Sequence, residues 1–173
     1  MNNMIKLICE RRSVRNFSDK EIPKDLLKEI LNCGTFAPNG MGRQSATIIA
    51  ITNKETINKI KKINSSILNR SDFDPFYNAQ TIIVVLANKN IPTYVKDGSA
   101  VITNILNAAF SLGIDSCWID RAKETFETNE GKELLKKWGL TNEYEGIGNI
   151  ALGYRNGELP APAKRKENYI IYD

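Results

Sequence analysis

Apolar residues recur along this chain in two rhythms, one helical and one strand-like. Met4, Ile5, Leu7 and Ile8 mark a short apolar helical turn near the N-terminus. Leu26, Leu27, Ile30 and Leu31 make one stripe, which predicts a second helix started by Pro23 in its first turn and stopped by Gly34. Ala37 and Pro38 then force the chain into a loop through Asn39, Gly40, Met41, Gly42, Arg43 and Gln44. Glycines on both sides of Met41 predict a flexible loop. The β-branched run at 47–51 predicts a short buried strand. A helix follows from about Lys54, with Ile57, Ile60 and Ile63 on one face and a wet basic face opposite. The unbroken apolar run at 81–86 is the clearest strand. Residues 97–112 are helical and apolar nearly all round, which predicts burial on most sides, with Asp97 as N-cap and Gly113 as the stop. A strand at 115–119, a helix carrying Leu134, Leu135 and Trp138, and a strand at 148–154 complete the pattern. Strands and helices without strict βαβ alternation predict an α+β fold. No repeat or linker divides the sequence, so residues 1–173 are expected to form a single domain.

Composition narrows the chemistry. The chain has 173 residues, 42% of them hydrophobic and 25% charged, enough for a real core. It has no histidine, which removes the usual general base, the usual zinc ligand and every triad built on imidazole. Cys9, Cys33 and Cys117 form an odd set without metal-ligand spacing, so no metal site and a reducing, cytoplasmic setting are expected. Residues 1–4 lack the pattern of a signal peptide, and no apolar run is long enough to cross a bilayer, so no membrane partner is expected. The net charge of +4 is mild and forms no dense basic stripe, which argues against nucleic acid. An enzyme of this composition needs a cofactor to carry its reaction.

Two cationic clusters bracket the apolar interior. Arg11, Arg12 and Arg15 surround Ser13 and Val14, and Lys164, Arg165 and Lys166 follow a proline-stiffened stretch at 160–163. Guanidinium forks match phosphate oxygens and lysine adds a point charge, so the pair suits one anionic group gripped from both ends. The plainer alternative is that Arg11 and Arg12 complement the dipole of the first helix while the tail is solvated. Cys117, in a strand beside Trp118, reads as a buried structural thiol. Phe73, Phe76 and Tyr77 read equally as an aromatic lid or as a hydrophobic cluster beneath a loop.

Taken in order, several of these features resemble the FMN-dependent nitroreductase family. The markers are the Arg-Arg-Ser-x-Arg opening, the Ala-Pro loop with Gln44 just before a strand, and Asp97 seven residues before Asn104 on a helix ending at Leu112-Gly113. Cys117-Trp118-Ile119, Leu152-Gly153-Tyr154 and the basic Pro-rich tail complete them. The resemblance implies a nitroreductase-like fold, with a central, mostly antiparallel sheet flanked by helices, in an interwoven homodimer that holds FMN at its interface. It implies that Arg11, Ser13 and Arg15 contact the phosphate and ribityl chain, that Arg12 adds main-chain or ring contacts, and that Lys164 and Arg165 close on the same phosphate. Pro38, Asn39, Gly40, Met41, Gly42 and Gln44 would meet the flavin ring from the partner subunit. Asp120 and Arg121 would present main-chain N–H groups near flavin N5. The flavin itself would carry the chemistry, taking hydride from NADH or NADPH and passing electrons to a small nitroaromatic or quinone-type acceptor. Two departures stand out: Gly42 replaces the family's usual Asn, and Ser45-Ala46 replaces the common Pro-Trp. Two rival readings are a flavin-storing or flavin-sensing protein without turnover, and a flavoprotein for one specific substrate, such as a reductive dehalogenase.

Overall fold

The structure is a computed structural model and describes residues 2–173. Its centre is a four-stranded sheet in the order β1-β2-β4-β3, from β1 (Ala46–Ile51), β2 (Thr81–Asn88), β3 (Asp115–Ile119) and β4 (Tyr144–Gly153). All three neighbouring pairs are antiparallel. Around it lie α1 (Asn3–Glu10), α2 (Lys24–Thr35), α3 (Lys54–Ile67), α4 (Tyr94–Ser111), α5 (Ala122–Glu127) and α6 (Asn129–Lys137). This is the expected α+β arrangement of an antiparallel sheet between helices.

β2 lies inside the sheet and is covered on both faces, which is why its sequence is apolar throughout rather than alternating. Ile82, Val84 and Leu86 face one core, with Ile57 and Ile60 of α3, Phe126 of α5 and Leu134 and Leu135 of α6. Ile83 and Val85 face the other, with Leu27 and Ile30 of α2 and Val101, Ile102 and Ile105 of α4. Val85 pairs with Gly148 and Leu86 with Gly146, so Ile147 is the extra residue of a bulge in β4.

Several boundaries and roles differ from the sequence reading. β1 is an edge strand and mostly half-buried, because only one neighbour covers it. Gly34 does not stop α2: the helix runs on to Thr35, and the glycine lets α4 approach, since a Cβ there would lie 2.8 Å from Ile105 Cγ1. Pro23 is the cap residue just before α2 rather than part of its first turn. α4 begins at Tyr94 with Thr93 at its cap, so Asp97 lies inside the helix. β4 begins at Tyr144, and the short α5 has no counterpart in the apolar pattern. Gly113 does end α4, in the left-handed conformation at φ 73°.

Residues 11–18 run along β3 and cover the sheet's other edge. The Val14 N–H donates to the Ser116 carbonyl at 3.0 Å, the Phe17 N–H to Tyr77 at 3.2 Å, and the Ser18 N–H to Tyr154 at 2.9 Å. Val14 and Phe17 insert into the core beneath. By contrast, no residue of α1 is buried and residues 160–173 are exposed throughout. Among the described residues, no helix is long and apolar enough to cross a membrane.

Candidate functional site

The first patch is the cationic segment that follows α1. Arg11 closes the helix in an extended conformation and Arg12 folds back on it. The Arg12 Nη1 donates to the carbonyls of Cys9 at 2.6 Å and Arg11 at 2.8 Å. Arg12 therefore does cap the helix, as the plainer reading held, but that contact uses only part of its fork. Arg11 Nη1 and Arg12 Nε are buried without a partner. Among the described residues no carboxylate pairs with Arg11, Arg12 or Arg15. Burial holds the Arg11 guanidinium below its ordinary pKa. Cys117 lies against the same segment: burial pushes its thiol up, opposed by Arg15, a hydrogen bond with Ser13, and Arg11. At 2% exposure, Cys117 is the buried structural thiol the sequence suggested. Ser13 is half-buried and Arg15 is exposed.

The second patch is the loop between α2 and β1. A single 3₁₀ turn over Gly40–Gly42 takes Met41 (φ 57°) and Gly42 (69°) to positive φ, and Gln44 (48°) follows them there after Arg43. Pro38, Met41, Gly42 and Gln44 are exposed, whereas Asn39 and Gly40 are half-buried. The expected looseness of the glycines is countered by two anchors. Asn39 Oδ1 accepts from the Gln44 N–H at 3.0 Å. Asp97, 4% exposed, accepts from the Gly40 N–H at 2.9 Å, the Ser45 hydroxyl at 2.7 Å and the Thr93 hydroxyl at 3.0 Å. Burial pushes the Asp97 carboxyl up, but the hydrogen bonds from Ser45, Gly40 and Thr93 outweigh it and hold the group below its ordinary value.

The third patch is the turn from β3 into α5. Asp120 is exposed, and Arg121 is half-buried in the left-handed region at φ 72°. The Asp120 carbonyl accepts from Asn149 Nδ2 at 3.4 Å, and the Arg121 carbonyl from the Thr125 hydroxyl at 2.7 Å. Thr125 Oγ1 accepts in turn from Asn64 Nδ2 at 2.9 Å. Asn64, Thr125 and Asn149 are all fully buried. Sequence reasoning missed all three. The available signal was a polar residue, Asn149, inside the apolar run that forms β4.

Lys164 and Arg165 are exposed, and among the described residues no hydrogen bond or ion pair joins them to residues 11–15. Phe76 is fully buried in the core, and Phe73 meets Tyr77 edge-on at 5.8 Å. These aromatics form the cluster beneath a loop rather than a lid. Among the described residues no group of His, Cys, Asp or Glu is arranged to hold a metal ion.

Comparison with known proteins gives these patches a context. The model of the Nitroreductase family matches residues 8–154. A protein of Archaeoglobus fulgidus named "Putative NADH dehydrogenase/NAD(P)H nitroreductase" is 30% identical, over 91% of this chain and 88% of its own. A nitroreductase of Bacteroides fragilis, solved with bound FMN, superimposes with a TM-score of 0.90 at 29% identity, covering 99% of both chains. Another FMN-bound nitroreductase, from Desulfitobacterium hafniense, gives 0.89 at 26% identity, over 99% of this chain and 98% of its own. With most of its length matched by sequence and nearly all of it by fold, the chain belongs to the Nitroreductase family, a family of oxidoreductases.

Proposed function

We propose that this chain is an FMN-dependent oxidoreductase that works as a homodimer, using NADH or NADPH as donor and a nitroaromatic or quinone-type compound as acceptor. The observation that carries the reading is the pair of unpartnered guanidinium nitrogens, Arg11 Nη1 and Arg12 Nε, on a segment without a compensating carboxylate. Buried cationic donors left unmatched are costly, and a phosphate dianion matches them with charge-assisted bonds worth about 1.5–3 kcal/mol each. The residues present therefore fit the terminal phosphate of FMN. Relatives of this fold solved with FMN support the same choice.

Each patch then has a task. Arg11, Arg12, Ser13 and Arg15 hold the phosphate and ribityl end. Lys164 and Arg165 add charge to that phosphate from the extended tail. Pro38, Asn39, Gly40, Met41, Gly42 and Gln44 of the other copy flank the ring, in the shape that Asp97 imposes. The Asp120–Arg121 turn offers main-chain N–H donors. When bound, FMN supplies the hydride-accepting ring that links a two-electron donor to the acceptor. The protein contributes placement and electrostatics, which suits a chain without histidine.

Unburied apolar surface supports the homodimer. Met4, Ile5 and Ile8 of α1 are 67%, 52% and 55% exposed, and the tail leaves Tyr169, Ile170, Ile171 and Tyr172 uncovered. Such a surface suits a subunit interface better than water. A cytoplasmic setting fits the three free thiols.

The test is to supplement purified protein with FMN, desalt it, record the visible spectrum, and add NADH or NADPH without oxygen. A bound flavin band bleached by either nucleotide and restored by a nitroaromatic or quinone supports the reading. A flavin band that neither nucleotide bleaches points to storage or sensing. Bleaching without transfer to generic acceptors points to a single-substrate flavoprotein.

A further inference from the structure

A cavity of about 290 Å³ lies between α2, β1 and α4, beside the loop that joins α2 to β1. Ala37, Ala46, Ile48 and Val101 give it apolar walls, and Asp97 and Ser45 are its buried polar groups, at 4% and 5% exposure. Ser45-Ala46 is also where the sequence departs from the family's common Pro-Trp, and both residues border the cavity. A hydroxyl stands where proline offers none, and a methyl group stands where an indole would take far more space. Nothing in the proposed function uses this space.

The polar part of the cavity is one-sided. Its three donors hold the Asp97 carboxyl below the ordinary range, and no cation is among the groups that shift it. Among the described residues no Lys or Arg forms an ion pair with it. Its Oδ1 accepts only the Gly40 N–H, which leaves a lone pair on that oxygen. The hydroxyl protons are spent as well. Ser45 donates its own to Asp97 at 2.7 Å, and Thr35, at the exposed rim, donates to the Asn32 carbonyl at 2.7 Å. Both hydroxyl oxygens keep acceptor capacity alone.

A buried charge without a counter-charge is costly, and what offsets it here must bring positive charge and hydrogen-bond donors. A bare metal ion would meet one carboxylate and apolar walls, too few oxygens for its shell. An alkylammonium brings a charge, three donors and an apolar stem, which matches both ends of the cavity. We propose that the cavity is a binding site for a small primary alkylammonium ion, its head on Asp97 and Ser45 and its stem against Ile48 and Val101. The site is independent of the FMN reading. Asp97 also holds the loop through Gly40 and Ser45, so an occupied cavity bears directly on the conformation of residues 40–45.

The experiment titrates the full chain at neutral pH and constant ionic strength with butylamine hydrochloride, and separately with butan-1-ol, reading heat by calorimetry. It is repeated on Ala46→Leu, which fills the cavity and leaves Asp97 in place, and on Asp97→Asn, which removes the charge and keeps an acceptor. The expected result is saturable binding of butylamine to the wild type with a dissociation constant of about a millimolar, within the ceiling for so small a ligand. Binding of butylamine to each variant, and of butan-1-ol to the wild type, is expected to be weaker by about tenfold or more. Absence of saturable butylamine binding to the wild type overturns the proposal. Equal binding of butan-1-ol overturns it too, because the charge is then irrelevant. Undiminished butylamine binding in either variant, shown folded by circular dichroism, overturns it by placing the amine elsewhere on the protein.

Discussion

The carboxylate of Asp97, in the first turn of α4, accepts a hydrogen bond at 2.9 Å from the Gly40 N–H of the loop between α2 and β1. Its other oxygen accepts from Ser45 and Thr93, so one buried group fixes both ends of a loop with three positive-φ residues. Replacing Asp97 with Ala strands two hydroxyls and an N–H, which costs about 3 kcal/mol of stability at unsatisfied-group magnitudes. Urea unfolding of Asp97→Ala should show that loss. Trypsin should cut faster at the exposed Arg43, which the clamp holds.

The same clamp gives a pH signature. Asp97 is held below its ordinary value in the fold, so its contribution is full above the usual carboxylate pKa of about 4 and fades as pH falls below it. Glu145 moves in the same direction: burial pushes it up, and hydrogen bonds from Lys123 and Tyr94 outweigh that. The stability difference between wild type and Asp97→Asn isolates the clamp. That difference should be flat from pH 5 to 7 and shrink on acidification below about pH 4, whereas a constant difference down to pH 2 would show that the charge of Asp97 is irrelevant.

Arg155 and Asp115 tie the end of β4 to the start of β3. Asp115 is 3% exposed, and Arg155 Nη1 reaches its two oxygens at 3.1 and 3.0 Å while the Arg155 N–H donates at 3.2 Å. Arg155→Met keeps the stem but leaves the buried carboxylate with its main-chain donor alone. A loss of about 2 kcal/mol is expected from the removed charged hydrogen bonds, read as a lower urea midpoint at constant slope.

Gly131, in the first turn of α6, sits where a Cβ would collide with the main chain of Thr125 and Phe126. Helix propensity alone favours Ala there by about 1 kcal/mol. The collision is with backbone, which yields little, so overpacking of about 1–3 kcal/mol or more is expected to win. Thermal melting of Gly131→Ala checks the sign.

Legibility in the sequence followed the range of the interactions. α2, α3 and β2 could be read from apolar spacing because their burial is set by side chains only a few residues apart. Asp97 could not, since its partners Gly40 and Ser45 lie more than fifty residues away, and a buried acid looks like a cap from its neighbours alone. α5 escaped because six residues offer too few apolar positions for a stripe. Gly34 was read as a stop because glycine serves both for turns and for close approach, and only the position of Ile105 distinguishes them. The cationic segment was legible as chemistry, but Arg12 turns out to divide its fork between capping α1 and an unmatched nitrogen.

The central claim is that the Arg11 and Arg165 clusters hold the phosphate of FMN. Its most direct test is the amount of flavin that survives desalting in Arg11→Ala/Arg165→Ala against wild type, with circular dichroism confirming an intact fold. The account predicts that the wild type keeps about one FMN per chain and that the double variant loses nearly all of it, the loss of two charge-assisted contacts weakening binding by roughly a hundredfold or more. A folded double variant that retains stoichiometric FMN would contradict it.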